Sequence, residues 1–413
     1  MSTVTADDAR NELKILGVIG AGHFISHYYY MCLPPLFLHL REAFGATYAE
    51  LGVMLAVMSA ASAVVQVPIG FLVDRYGART ILTAGLAVVS IATGLIGFAH
   101  SFWLVVALSF ISGLGNAVFH PADYAILNSS IGSNRMGRAF SLHTFTGQLG
   151  TAAAPVVMIA LTAFVGWRAA LMFSGVFGLL TLAFLTTQWN ALRDDTVGAA
   201  PRPEPADSAV TPQSGDAGPK NAIAAVFTRP MLLFFLFFMM LSMMQTGLQA
   251  FVVAALVTVH DTPLAVASTA LSVYLFCSAG GVLLGGEITD RMQRHDLLAA
   301  LIFVLSAIIV LALGAFNLPA AVLIGLMAVM GVAQGVTRPA RDLMLRAAAP
   351  KGATGSVFGF VTAGIAFGSA LAPIPLGWLI DIGRPAWVFY LLAAFMLIAL
   401  ATVATPKGAA IRT

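Results

Sequence analysis

Arg338, Arg341 and Asp342 sit within five residues, directly after a stretch from Ala320 to Thr337 that carries no charge. Together with Gln334 they fall at i, i+4, i+7 and i+8, one face of a helix. A guanidinium on such a face can hold a carboxylate or phosphonate through two parallel hydrogen bonds. A second set, His23, His27 and Tyr30, shares a helix face at i, i+4 and i+7. Counted from Lys14 at 1.5 Å per residue, His27 lies roughly 20 Å along that run, near the middle of a bilayer. Imidazole, with a reference pKa of about 6.5, suits proton exchange or anion binding at ordinary pH. A third set, Asn116, His120 and Asp123, stands in G-N-A-V-F-H-P-A-D-Y, with Asp123 a candidate proton carrier. Gln245 and Gln249, at i and i+4, offer uncharged amides that could orient a substrate.

Each set has a structural alternative. A histidine can serve packing alone by bonding to a neighbouring helix. Arg338 and Arg341 follow an apolar run of roughly 27 Å and can snorkel to the inner surface, or Arg341 can pair with Asp123 as an inner gate. Met239, Met240, Met243 and Met244 beside the glutamines could adapt to the apolar part of a substrate, but lipid-facing filler is the favoured reading.

The elements that must position these groups follow from composition. The chain has 413 residues, 59% hydrophobic and 9% charged, with a mean hydropathy of +0.91. Soluble domains carry roughly 25% charge, so this is an all-α membrane protein crossing the bilayer many times. Hydropathy and helix breakers predict twelve spans, at 14–40, 48–73, 79–99, 102–130, 137–165, 168–190, 228–258, 264–288, 296–316, 319–346, 353–381 and 385–405. The polar, proline-rich stretch 191–221 reads as a flexible cytoplasmic linker between an N-terminal six-helix bundle, 1–190, and a C-terminal one, 222–413. With the N-terminus inside, sixteen of the 21 Lys and Arg fall on the cytoplasmic side and three, Arg41, Arg168 and Arg384, outside. That asymmetry places both termini in the cytoplasm.

The basic residues are scattered through short loops, which gives no footprint for nucleic acid. Cys32 and Cys277 lie inside apolar runs and imply neither a disulfide nor a metal site. None of the four lysines is followed by Ser or Thr, so there is no P-loop, and no H-E-x-x-H occurs; an enzyme is not expected. No cofactor or metal is expected.

The two halves repeat in parallel. At an offset of 218, Asn116 meets Gln334, His120 meets Arg338, Pro121 meets Pro339 and Asp123 meets Arg341. Gly113 and Gly331, Gly150 and Gly368, and Pro155 and Pro373 pair at the same offset, while Gly70, Asp74 and Arg75 return as Gly286, Asp290 and Arg291 at 216. Internal repeats of this kind mark secondary transporters, with sites where the repeats meet.

Between the second and third spans the chain reads G-F-L-V-D-R-Y-G-A-R-T, residues 70–80. This resembles the signature loop of the major facilitator superfamily, and the twelve spans extend the resemblance over nearly the whole chain. The resemblance implies a cavity lined by spans 1, 4, 7 and 10 that opens alternately to either side. It also casts Gly70, Asp74, Arg75, Gly77, Arg79, Asp290 and Arg291 as conformational gates, their ion pairs existing in one access state. More narrowly, G-L-G-N-A-V-F-H-P-A-D with His23 is similar to the fosmidomycin-resistance branch, a group of efflux proteins. That branch carries its acid immediately after His-Pro, where this chain has Ala122. Drug–proton antiporters of the superfamily carry an arginine in early span 4, where this chain has Ser109.

The function expected is proton-coupled efflux of a small organic anion or an amphipathic anionic compound, by a monomer in the bacterial inner membrane. Proton-coupled import of an organic acid is the runner-up, and a non-transporting receptor or scaffold is the remote alternative.

Overall fold

A backbone crossing hydrocarbon must satisfy every N–H and C=O internally, so apolar runs of this length fold as helices. The structure is a computed structural model that describes residues 6–132, 135–192, 228–291, 294–348 and 354–404. Its helices are α1 (Ala6–Tyr30), α2 (Phe37–Phe44), α3 (Tyr48–Tyr76), α4 (Ala78–Ile96), α5 (Phe102–Asn116), α6 (Phe119–Ser130) and α7 (Met136–Thr187) in the first half. The second half holds α8 (Arg229–His260), α9 (Leu264–Arg291), α10 (His295–Ala315), α11 (Ala320–Ala348), α12 (Thr354–Leu371), α13 (Pro373–Asp381) and α14 (Ala386–Ala404). The chain forms two compact units, Met1–Ala209 and Val210–Thr413. The linker expected at 191–221 lies, beyond Leu192, outside the described residues.

Among the described residues, twelve spans emerge once helix breaks are assigned. The 52-residue α7 turns at Gly166, whose φ of 79° and ψ of 159° only glycine adopts without strain. The break falls between the spans expected to end at 165 and begin at 168. Span 1, expected as one helix over 14–40, is instead α1 and α2 joined by a 3₁₀ turn, Pro34–Leu36. Pro34 and Pro35 bring no N–H to the carbonyls of Tyr30 and Met31, and the helix cannot continue. Span 4 breaks at Ala117 and Val118 because Pro121 leaves the Ala117 carbonyl without its helical donor. Pro373 divides α12 from α13 in the same way.

Both units show the same neighbours, each described within itself. In the first, α1 packs on α7, α3 on α5, and α4 on α5 and α7. In the second, α8 packs on α12 and α14, α9 on α11, and α10 on α11 and α14. The repeated glycines make these contacts. Gly113 lies against the Met58 carbonyl and Gly331 against the Tyr274 carbonyl, while Gly150 lies against Phe24 and Gly368 against Met239. Positions 58 and 274 are 216 apart and 24 and 239 are 215 apart, so the duplication extends to the surfaces the glycines touch. Without hydrophobic drive between helices in lipid, such close backbone approach supplies the packing attraction.

Candidate functional site

Close packing of α1 on α7 is what assembles the polar groups of the first unit. A Cβ at Gly150 would strike the Phe24 carbonyl, and one at Gly147 would stand 2.6 Å from Nε2 of His23 and 3.0 Å from Cδ2 of His27. Farther along, the buried Tyr28 hydroxyl lies 3.0 Å from Ser174 Oγ, and Tyr29 donates to the Ser174 carbonyl at 2.9 Å. With α1 held so closely, its histidine face meets the side chains of α6 and α7.

His23, Asp123 and His143 form the buried centre. His23 Nδ1 is 3.3 Å from Asp123 Oδ2, and His143 Nε2 is 3.7 Å from the same oxygen. Asp123 is fully buried and His23 and His143 are 2% and 3% exposed, so this charge-bearing group is cut off from solvent. The His23 and His143 rings stack with centroids 3.7 Å apart. His120 stands at the exposed edge, its ring 5.3 Å from His23 and 5.8 Å from Tyr124. His27 is half-buried, with Nδ1 3.1 Å from Thr151 Oγ1 and its ring 4.6 Å from His23. Asn116 spans from α5 to α1, its amide donating to the Ser26 carbonyl at 2.8 Å. Tyr30, half-buried, lies at the end of α1.

The structure thus gathers His23, His27, His120 and Asp123, and adds His143, which the sequence reading passed over. A signal was present: His143 is the sole ionisable residue between Arg138 and Arg168, and it shares a face with Gly147 and Thr151 at i, i+4 and i+8.

The second unit arranges its polar groups differently. Gln334 reaches sideways to α10, donating to Ser306 Oγ at 3.0 Å. Arg338 and Arg341 are half-buried on α11, and the Arg341 guanidinium lies 5.1 Å from the Phe238 ring centre on α8. The side chain of Asp342 lies outside the described residues. Gln245 and Gln249 are half-buried on α8. The methionine expectation needs correction, because Met240 and Met244 are 7% and 1% exposed and fill the interior of the unit instead of facing lipid. The two lie four residues apart on the α8 stripe that also buries Phe237, Leu241 and Leu248, so the helix turns them inward.

Among the expected gates, Gly77 ends α3 and begins α4 at a φ of 89°, a conformation that favours glycine. Asp74 and Arg75 are exposed, and Gly70 has open space where a side chain would stand. Arg79 reaches the far end of α7, its guanidinium 4.9 Å from the Trp189 ring centre and 3.5 Å from the Trp189 carbonyl. The side chains of Asp290 and Arg291 lie outside the described residues. An ion pair not foreseen joins Glu12 to Arg135 at 2.6 Å, tying the start of α1 to the entry of α7.

Comparison with known proteins fits this architecture. The chain is 23% identical to the fosmidomycin resistance protein of Escherichia coli (strain K12) over 289 residues, 69% of this chain and 67% of that one. It is 30% identical to the probable L-galactonate transporter of the same strain over 155 residues, 38% of this chain and only a third, 33%, of the relative. The probable sulfoacetate transporter SauU of Cupriavidus necator is 27% identical over 165 residues, 40% of this chain and 38% of that one. Among solved structures, a mutant of the nucleoside transporter NupG superposes with a TM-score of 0.75 at 14% identity, covering 94% of this chain and 99% of that one. A bacterial homologue of the human lysosomal transporter Spinster gives 0.69 at 15% identity, covering 95% and 94%. The model of the Major Facilitator Superfamily matches residues 19–260 and 239–410. The chain belongs to the major facilitator superfamily, as a multi-pass membrane protein.

Proposed function

We propose that the chain is a secondary active transporter working by alternating access, and that it exports a small organic anion at the expense of the proton gradient. The observation that carries the anion is the pair of half-buried guanidiniums, Arg338 and Arg341, on α11. Arginine is the side chain best matched to a carboxylate, sulfonate or phosphonate, because its planar fork donates two bonds at once. Support comes from the names of relatives, which include a probable L-galactonate transporter and a probable sulfoacetate transporter, both for anions. The proton is the proposed driving ion because ionisable side chains within membrane spans mark proton and ion pathways. Export follows the likeness to the fosmidomycin resistance protein.

Import by symport is the second reading, and one position favours it. Ser109, where drug–proton antiporters carry arginine, is fully buried and bonds its own helix at the Val105 carbonyl, 2.8 Å away. The proposed setting is a bacterial inner membrane with both termini in the cytoplasm and the protein acting as a monomer.

The test is binding and counterflow with purified protein in liposomes, using L-galactonate, sulfoacetate and fosmidomycin as probes. Arg338→Gln should weaken binding of the accepted anion by roughly 10- to 150-fold, the worth of a charged hydrogen bond of about 1.5–3 kcal/mol. Arg338→Lys should fall between the two. Near-native affinity in the glutamine variant would remove the anion site from α11. Accumulation driven by a sodium gradient, with no response to a pH gradient, would replace the proton.

A further inference from the structure

We propose that His23, His120 and His143 form a binding site for one divalent transition-metal cation of the zinc, cobalt and nickel class, with Asp123 as its anionic partner. The sequence spacing of 23, 120 and 143 carries no metal motif, and the site arises only from the packing of α1, α6 and α7. One ring nitrogen from each histidine lies within 4.8 Å of the others. A tetrahedral site with metal–nitrogen bonds of about 2.0–2.1 Å sets its nitrogens about 3.4 Å apart. The His23 and His143 rings stack 3.7 Å apart, so their lone pairs run side by side, and both rings must turn, together with the exposed His120, for the three nitrogens to converge.

The second observation is polar atoms that nothing in the described structure satisfies. His23 Nδ1, both nitrogens of His143 and both oxygens of Asp123 are buried without a hydrogen bond. His23 Nδ1 is near Asp123 Oδ2, at 3.3 Å, but not aligned with it. Leaving buried polar groups without a hydrogen bond is costly, and a buried carboxylate without one more so. One dication accounts for most of the set. It takes a lone pair from each imidazole, balances the carboxylate, and turns His23 so that Nδ1–H donates to Asp123. Ligating histidines commonly give their second N–H to a carboxylate in this way. Donor type selects the metal class: imidazole suits zinc, nickel and cobalt, whereas magnesium and calcium require oxygen. Gly147 contributes by omission, since its Cβ would stand 2.6 Å from His23 Nε2 and crowd the ring that has to turn. His27 is outside the set, its Nδ1 being 3.1 Å from Thr151 Oγ1.

The experiment is a titration of the full-length, tag-free protein in detergent with cobalt(II) chloride, followed by visible absorption. The expected result is an intense tetrahedral band saturating at one cobalt per chain and displaced by zinc. His120→Ala and His143→Ala should abolish the band, Asp123→Asn should weaken binding by about 10- to 100-fold, and His27→Gln should leave it in place. His120 is exposed, so His120→Ala keeps the test decisive if the buried His143→Ala fails to fold. No band in the parent protein overturns the proposal, as does a weak band indifferent to His120→Ala, which would report scattered surface histidines. The titration uses no transport substrate, so its outcome is separable from that of the anion reading.

Discussion

Three glycines on α7 offer a graded test of how closely α1 is held. Alanine gains about 0.8–1.0 kcal/mol over glycine in a helix interior, so a substitution with free space should stabilise. Gly137 has nothing within 4 Å of a would-be Cβ, and Gly137→Ala should gain up to about 1 kcal/mol. At Gly147 the new methyl would stand 2.6 Å and 2.7 Å from Nε2 and Cδ2 of His23. Comfortable contact is about 3.5–4.0 Å, so the imidazole must shift by about 1 Å. Overpacking costs about 1–3 kcal/mol, leaving a net loss of about 0–2 after the helix gain. At Gly150 the obstacle is the Phe24 carbonyl, which cannot rotate away, and α1 itself must move. That places the net loss at about 2 kcal/mol or more. With each kcal/mol worth about 2–4 °C in a unit of this size, Gly150→Ala should melt about 4–8 °C lower and Gly137→Ala up to about 4 °C higher. Gly368→Ala, the counterpart in the second unit, should behave like Gly150→Ala. The assay is thermal unfolding of the purified variants in one detergent. If Gly150→Ala melted at or above Gly137→Ala, the reasoning from backbone contact would be refuted for both units.

Arg168 donates to the Ala99 carbonyl at 2.6 Å and the Gly97 carbonyl at 3.2 Å, with Trp167 4.4 Å from the guanidinium. Arg168→Lys keeps the charge but not the plane, and should lower thermal stability by about 1–3 kcal/mol; an unchanged melting point would show that charge alone suffices there. Glu12→Gln, which breaks the part-exposed pair with Arg135, should cost less than about 1 kcal/mol, and a larger drop on thermal unfolding would mark the pair as more than a surface bridge. For topology, a cysteine at Ser208 in a chain lacking Cys32 and Cys277 should react with impermeant maleimide only after the membrane is opened; labelling of intact cells would invert every loop.

How far the sequence discloses this protein depends on the distance over which each feature is decided. Span lengths and breaks are local. Gly166 stands between two apolar runs, and the structure turns there; Pro34 and Pro35 break span 1 by removing donors four and five residues past Tyr30. The repeat is also local in kind, since a fixed offset exposes it, and Gly113 and Gly331 then meet matching backbone in both units. Partners are not local. Helical spacing puts Gln334 on the face of Arg338 and Arg341, yet its amide is engaged with Ser306 on α10. His143 shows the limit most plainly. The offset of 218 that singles out His120 and Asp123 pairs His143 with Val361, a buried apolar residue, so the repeat argues against it. Its place beside His23 depends on Gly147 and Gly150 admitting α1 to the surface of α7, and glycine spacing in a single helix does not say which helix will be admitted. Spacing therefore identifies which side chains can share a face, while the small residues on the facing helix decide which faces meet. That is why histidines on three separate helices become one cluster only in the folded chain.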